Sequence, residues 1–137
     1  MDKITLWKDR DKGTIDPELF SVKAKELAKR LAKDNENSKG EKVNRRTQLR
    51  KFYDEVLRLD SEAKSGSDDQ WERILLPRVH MLTAKAAYAM GRDFVSIRFL
   101  NFIEETVKQV QEPKDLTIFA MFFEAMMGFY RQYGPSN

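Results

Sequence analysis

Positively charged side chains are the residues whose types and spacing most clearly indicate a chemistry in this sequence. Six of them lie between residues 39 and 51, where Glu41 is the single acidic residue, so the stretch carries +5 while the whole chain carries +3. These six are Lys39, Lys42, Arg45, Arg46, Arg50 and Lys51. Such clusters commonly contact phosphate groups, although a solvated helix start in a charge-rich protein is the competing interpretation.

A second basic pattern lies further along the chain. Arg78, Lys85 and Arg92 recur every seven residues, which places them along one edge of a helix over about 21 Å. Arg46 and Arg50 are one turn apart at the edge of another helix. Both groups can therefore border one groove, depending on how the helices pack. Three tyrosines offer possible stacking surfaces for bases, but aromatic residues at helical spacing are more often core residues; they are Tyr53, Tyr88 and Tyr130.

Residues for catalysis or metal binding are scarce. His80 is the only histidine, the chain has no cysteine, and no glycine-rich phosphate loop is present. The pairs at 68–69 and 104–105 are neighbouring carboxylates, but adjacent positions on a helix diverge by about 100°, so helix caps and solvated faces explain them better. The sequence predicts a non-enzymatic protein with no catalytic residue, no metal site and no cofactor, and a surface position for His80.

The elements that must position the basic residues are helices, because apolar residues repeat at three and four and no alternating strand pattern occurs. Candidate caps are Asp16 before Pro17, Asn44, Ser67, Asp93 and Asp115. The predicted helices span about 17–33 and 45–64, then Ser67 to Gly91 with a bend near Pro77, Asp93 to Pro113, and about 116–133. The fold class is all-α, a compact bundle of about five helices.

The segment at 1–16 shows no sustained helical period, so we expect a flexible arm there and a single helical-bundle domain over 17–134. The fifth predicted helix is apolar nearly all round and therefore has to be central or covered by another chain. This predicts self-association or tight docking onto copies of the same protein. Glu124 interrupts that helix and is expected to pair with a basic group, face a neighbouring subunit or be exposed.

Three strings in this sequence resemble a known family. They are TQLRKFY at 47–53, YAMGR at 88–92 and FFEAMMGFYRQYG at 122–134. In this order and spacing they resemble the small subunit of type III-A CRISPR (Csm) effector complexes, over roughly residues 17–134. The resemblance implies a helical bundle that stacks in several copies along the CRISPR RNA and target RNA, contacts their backbones and leaves catalysis to other Csm complex subunits.

The resemblance also assigns residues. By motif match it implies RNA contacts for Arg50, Arg78 and Arg92, and charge geometry adds Arg46, Lys51 and Lys85. A cytoplasmic location is expected, because the amino terminus lacks the features of a signal peptide and no apolar stretch can cross a membrane. The main alternative is a helical protein–protein interaction module without nucleic-acid binding, and a small hydrolase built around His80 or 68–69 is a remote third.

Overall fold

The computed structural model describes residues 3–137 and contains five helices, in the regions where the sequence has helical periodicity. We number them α1 (Ala24–Glu36), α2 (Arg46–Ser65), α3 (Leu76–Gly91), α4 (Ile97–Val107) and α5 (Pro113–Tyr133). Within residues 3–137 there is no strand, and the only extended pairing is an isolated bridge between Asp9 and Thr14. The predicted all-α bundle of five helices is therefore confirmed.

Short irregular helical segments precede two of these helices. Leu19–Lys23 forms a π-helical turn that leads into α1, and Trp71–Leu75 forms another that leads into α3 after the turn at Asp68–Gln70. Pro77 follows the second π-helical turn at the start of α3. Proline has no N–H to donate to the preceding turn, so the regular helical hydrogen bond is missing at its position. The irregularity lies just before Pro77, near which the sequence predicted a bend.

The structure confirms some of the predicted helix caps and contradicts others. Ser67 is a cap, because its hydroxyl accepts a hydrogen bond from the N–H of Gln70. Asp93 does not open a helix: with φ at 60° it ends α3, and its N–H and that of Phe94 close a Schellman motif onto the last turn. Ser96 caps α4 instead. The fourth helix is consequently shorter than predicted, Ile97–Val107.

The amino-terminal segment packs on the bundle, which corrects the expectation of a flexible arm over 1–16. Ile4 and Leu6 are buried in the hydrophobic core at 5% and 0% exposure. Their burial removes apolar surface from water, which holds the segment in place. Asp16 accepts a hydrogen bond from the N–H of Glu18, and the helical turns begin at Leu19 rather than at residue 17. Residues 1 and 2 of the predicted arm lie outside the described residues.

The carboxylate of Asp115 links the amino-terminal segment to the start of α5 through hydrogen bonds. Asp115 is fully buried and accepts hydrogen bonds from Trp7 Nε1 and Arg10 Nη1, each at 2.8 Å. It also accepts from the backbone N–H groups of Gln111 and Glu112, each at 2.9 Å. The sequence predicted Asp115 as a helix cap. Asp115 lies within the first turn of α5 and accepts hydrogen bonds from the backbone just before the helix. It also holds the amino-terminal segment in place through Trp7 and Arg10.

Helix α5 is the central element, which is one of the two possibilities that its apolar circumference predicted. It packs against α1 and α2, and its largest apolar residues are buried, among them Phe119, Phe122, Phe123, Met126 and Tyr130. Among large apolar residues, Met121 is the one that α5 leaves exposed, at 45%. Helices α1, α2 and α4 and the amino-terminal segment thus cover most of this helix. The argument for self-association from an uncovered α5 consequently loses its basis.

Candidate nucleic-acid interface

A groove between α2 and α3 brings the charged edges of both helices together. It is lined by Glu55, Arg58 and Glu62 from α2 and by Arg78, Met81 and Lys85 from α3. Arg78 Nη1 lies 3.4 Å from Glu62 Oε2. A hydrogen bond from Arg58, opposed by partial burial and aided by the nearby charge of Lys85, holds the pKa of the Glu55 carboxyl below its ordinary value. We call this feature the α2–α3 groove.

The pairing across the groove shows how the two helices run. Residue 62 faces 78 and residue 55 faces 85, so α2 and α3 are antiparallel along this edge. Arg78 and Lys85 share one edge of α3, as their seven-residue spacing predicted; both line the groove and both are exposed. Each of them nevertheless has a carboxylate across the groove, so an approaching phosphate has to compete with Glu62 and Glu55.

Arg92 continues the basic edge at the carboxyl-terminal end of α3. Its guanidinium carbon lies 5.9 Å from the centroid of the Tyr88 ring and 5.5 Å from that of Phe94. Its Nη1 also donates to the Tyr88 hydroxyl at 3.0 Å. These cation–π contacts hold the side chain at the surface without neutralising its charge. Arg92 is thus an oriented and exposed cation, at the end of a basic edge that extends over about 21 Å.

Arg46 and Arg50 lie on a different side of α2. Arg50 is five residues from Glu55, which corresponds to about 140° around a helix, and Arg46 is nine residues away, about 180°. Arg46 Nη2 donates to the carbonyl of Ser136 at 2.7 Å, and Arg50 Nε lies 3.6 Å from Asp54 Oδ1. The structure therefore does not bring these two arginines to the α2–α3 groove, although both remain predicted RNA contacts on another face.

Lys51 and Arg58 occupy the groove edge of α2 instead. Lys51 is exposed and lies four residues before Glu55, one turn along the same edge. Arg58 was not predicted as a site residue, yet it lines the groove and is exposed. The seven-residue spacing of Lys51 and Arg58 matches that of Arg78 and Lys85. This repeat is the sequence signal that could have identified Arg58.

The two basic groups meet at one end of the groove. The backbone N–H of Asn44 donates to the carbonyl of Phe94 at 2.9 Å, which ties the start of α2 to the turn after α3. Exposed Lys42 and Arg45 therefore lie at the same end of the molecule as Arg92. Asn44 itself is not the helix cap that the sequence predicted: it is buried with φ at 61°, and Arg45 takes the cap position.

The three tyrosines differ in what they can offer a base. Tyr88 is 65% exposed beside Arg92, so its ring is accessible. Tyr53 packs against Phe123, and burial together with the neighbouring Glu124 raises the pKa of its hydroxyl. Tyr130 is fully buried, and its hydroxyl donates to a backbone carbonyl. Glu124 is itself exposed, which fits one of the three possibilities that the sequence left open.

Of the residues considered for catalysis, His80 and Glu104 line one cleft between α3 and α4, and the others lie elsewhere. His80 is exposed, as predicted. Asp69 forms an ion pair with Arg73, and Glu105 forms one with Lys3. Within residues 3–137, no group of three or more histidine, aspartate and glutamate side chains is placed to hold a metal ion. None of the helices in this part of the chain is long and apolar enough to span a membrane.

Comparison with known proteins finds a family match. The family described as Csm2 Type III-A matches residues 16–136, which is nearly the whole chain. No curated protein and no solved structure gives a significant match. The matched region contains all five helices and the entire α2–α3 groove.

Proposed function

Because the chain belongs to the Csm2 Type III-A family and is thus the small subunit of a type III-A CRISPR (Csm) complex, we propose that it binds the backbones of the CRISPR RNA and target RNA along the α2–α3 groove. It would hold the RNA while other subunits carry out catalysis. Its copies would stack along the RNA within the complex, in the cytoplasm, and contribute to antiviral defence.

The charge of the α2–α3 groove is the observation that carries this proposal. Three basic side chains line it, Arg58, Arg78 and Lys85, against the two carboxylates of Glu55 and Glu62. Lys51 and Arg92 lie further along the same edges of α2 and α3. A row of cations on rigid helices favours a regular polyanion, and phosphate contacts of this kind carry no sequence preference. A subunit that binds guides of any sequence requires that property.

A non-enzymatic role agrees with the arrangement of the side chains. The groove offers arginine, lysine and glutamate side chains on helix surfaces, and His80 lies outside it. General acid–base catalysis or nucleophilic attack needs converging groups within hydrogen-bond reach of one another. Arginine and lysine paired with carboxylates across an open groove supply charge and position instead.

A specific observation also supports the alternative, a protein–protein interaction module. Ile74, Met81 and Tyr88 recur every seven residues on the exposed side of the basic edge, at 48%, 53% and 65% exposure. Apolar residues at this spacing are typical of a helix that docks against another helix. A protein partner on this ridge would leave the neighbouring cations as rim charges.

Crosslinking in the native complex tests the proposal and separates it from the alternative. The tagged protein is purified from its native cells after ultraviolet irradiation, and RNA covalently attached to this subunit is sequenced. We expect repeat-spacer RNA crosslinked to this chain, at positions spread over the whole guide. Co-purification of the other complex subunits with no RNA crosslinked to this chain would leave the protein-interaction role as its function.

A further inference from the structure

Asn44 connects four parts of the fold through one residue. Its N–H donates to Phe94 O at 2.9 Å, and its Nδ2 donates to Leu31 O at 3.2 Å and to Ser96 Oγ at 3.0 Å. Its Oδ1 accepts from Ser96 N at 2.9 Å, and its carbonyl accepts from the Tyr130 hydroxyl at 2.6 Å. The residue is fully buried. α1, the turn between α3 and α4, and α5 are thereby joined to the start of α2.

The position requires an asparagine for two physical reasons. With φ at 61°, the backbone is left-handed, a conformation that only glycine and, less readily, asparagine and aspartate adopt at low cost. The side chain must also donate two hydrogen bonds and accept one in a buried place. An aspartate cannot donate and a glycine has no side chain, so neither satisfies both demands.

The bonds of Asn44 lead directly to the basic end of the groove. Phe94 receives the hydrogen bond from Asn44 through its carbonyl and presents its ring to the guanidinium of Arg92. On the other side, Asn44 immediately precedes Arg45, the cap of α2. Asn44 therefore holds the turn that carries Phe94 at two points, through its own N–H to Phe94 and through its side-chain bonds to Ser96, and it also sets the start of α2.

We infer that Asn44 is a positioning residue for RNA binding, which aligns the facing edges of α2 and α3 and holds the Phe94 ring beneath Arg92. This inference rests on the proposed function of the α2–α3 groove. It adds that the affinity for RNA depends on a residue that touches no RNA. Because Asn44 acts most directly on Arg92, its loss should remove the contribution of about one phosphate contact, while the other groove cations keep their places on their own helices.

The first experiment replaces Asn44 by glycine, which keeps the positive φ and the backbone hydrogen bonds but removes the side-chain bonds. We expect Asn44→Gly to bind single-stranded RNA about fourfold more weakly at 0.15 M salt, with a salt slope smaller by about 0.7, as loss of one contact predicts. The matched controls are Ile103→Val and Ile118→Val, which remove buried volume from α4 and α5 and leave the Asn44 bonds intact. All proteins are compared at a temperature where each is folded.

A second readout separates positioning from stability. The chain has no cysteine, so spin labels on cysteines introduced at Thr47 and Ala87, both exposed, report the distance between α2 and α3. We expect a narrow distance distribution in the parent protein and in both isoleucine controls, and a broad one in Asn44→Gly. If Asn44→Gly does not fold, Tyr130→Phe, which removes only the hydrogen bond to the Asn44 carbonyl, is expected to broaden the same distribution.

The outcomes are distinguishable from a failure of the proposed function. Removal of Arg78, Lys85 and Arg92 tests whether the groove binds RNA. If that variant loses RNA while Asn44→Gly matches the isoleucine controls in affinity and in label distance, the groove binds RNA and the positioning role of Asn44 is overturned. An unchanged distance distribution in folded Tyr130→Phe, where Asn44→Gly is unfolded, overturns it as well.

Discussion

Replacing the three basic residues on the α3 edge of the groove by alanine should weaken RNA binding in a salt-dependent way. Each phosphate contact contributes about 0.7 to the slope of log affinity against log salt for a single strand, so Arg78→Ala, Lys85→Ala and Arg92→Ala together should lower the slope by about 2. Between 50 and 200 mM salt, the parent protein should therefore lose about 20-fold more affinity than the triple variant.

The fold should survive these substitutions. The Arg78–Glu62 ion pair is solvent-exposed on both sides, and such pairs contribute about 0–1 kcal/mol. The contacts of Arg92 with Tyr88 and Phe94 lie at the surface, where cation–π interactions are worth about 0.5–1 kcal/mol. We therefore expect the free energy of unfolding to fall by less than about 2 kcal/mol. Helicity should be unchanged.

The assay is fluorescence anisotropy of a labelled single-stranded RNA titrated at four or more salt concentrations. The matched control carries Lys33→Ala, Arg73→Ala and Lys108→Ala, three exposed cations that do not line the groove. It loses the same net charge and should change the slope far less. The reasoning is refuted if both triple variants, folded, show the same affinity and slope as each other.

Neutralising a carboxylate of the groove should raise the affinity for RNA, whereas removing the cations should lower it. Glu62 lies across from Arg78, so neutralising it frees the arginine for phosphate and removes a repelling charge. Glu62→Gln should bind RNA more tightly than the parent protein, while Glu26→Gln, on α1 and paired with Arg30, should change binding little. A decrease in affinity for Glu62→Gln would show that RNA does not enter the groove beside Arg78.

Three further predictions concern stability. Phe102 packs against four other phenylalanine rings with centroids 5.4–5.9 Å away, so Phe102→Ala should lower the free energy of unfolding by about 3–5 kcal/mol in urea titrations. Leu6→Ala should cost about 2–5 kcal/mol, because the side chain is fully buried; a change below about 0.5 kcal/mol would instead indicate a loose arm. Burial opposes ionisation of Asp115, but hydrogen bonds from backbone N–H groups, Trp7 and Arg10 outweigh it and keep the pKa of this carboxyl below its ordinary value. The stabilisation from Asp115 is thus present at neutral pH and lost as the pH falls through that lowered pKa. Asp115→Asn should flatten this acid dependence, and a variant with the parent's acid profile would contradict the assignment.

The sequence alone determined the fold class and most of the helices. Apolar residues at three and four identify a buried stripe because helix geometry is local and repeats every 3.6 residues. The same argument predicted that α5 is either central or covered by another chain, since a helix that is apolar all round has to be surrounded. The seven-residue spacing of Arg78, Lys85 and Arg92 also predicts a shared edge from the geometry of a single helix, without knowledge of the helix that packs against it. The predicted helix boundaries were wrong where the backbone conformation depends on neighbouring parts of the fold, as at Asp93 and Asn44.

The amino-terminal segment shows why some of the fold could not be predicted. Ile4 and Leu6 have no helical period, so the local pattern gave no reason to bury them. Their place in the core is held by side chains about a hundred residues away, because Gln109 bonds the backbone of Ile4 and Leu6 while Asp115 holds Trp7 and Arg10. Contacts between distant parts of a chain leave no periodic signal in either part.

The composition of the candidate groove was decided by tertiary structure. Arg50 and Lys51 are neighbours in the sequence and belong to one basic cluster, yet they point about 100° apart on α2. Packing of the apolar stripe of α2 fixes its rotation, which turns Lys51 and Arg58 towards α3 and leaves Arg50 on the other side. A sequence gives the angle between side chains within one helix. Which of those side chains faces a second helix follows only from how the two apolar stripes pack together.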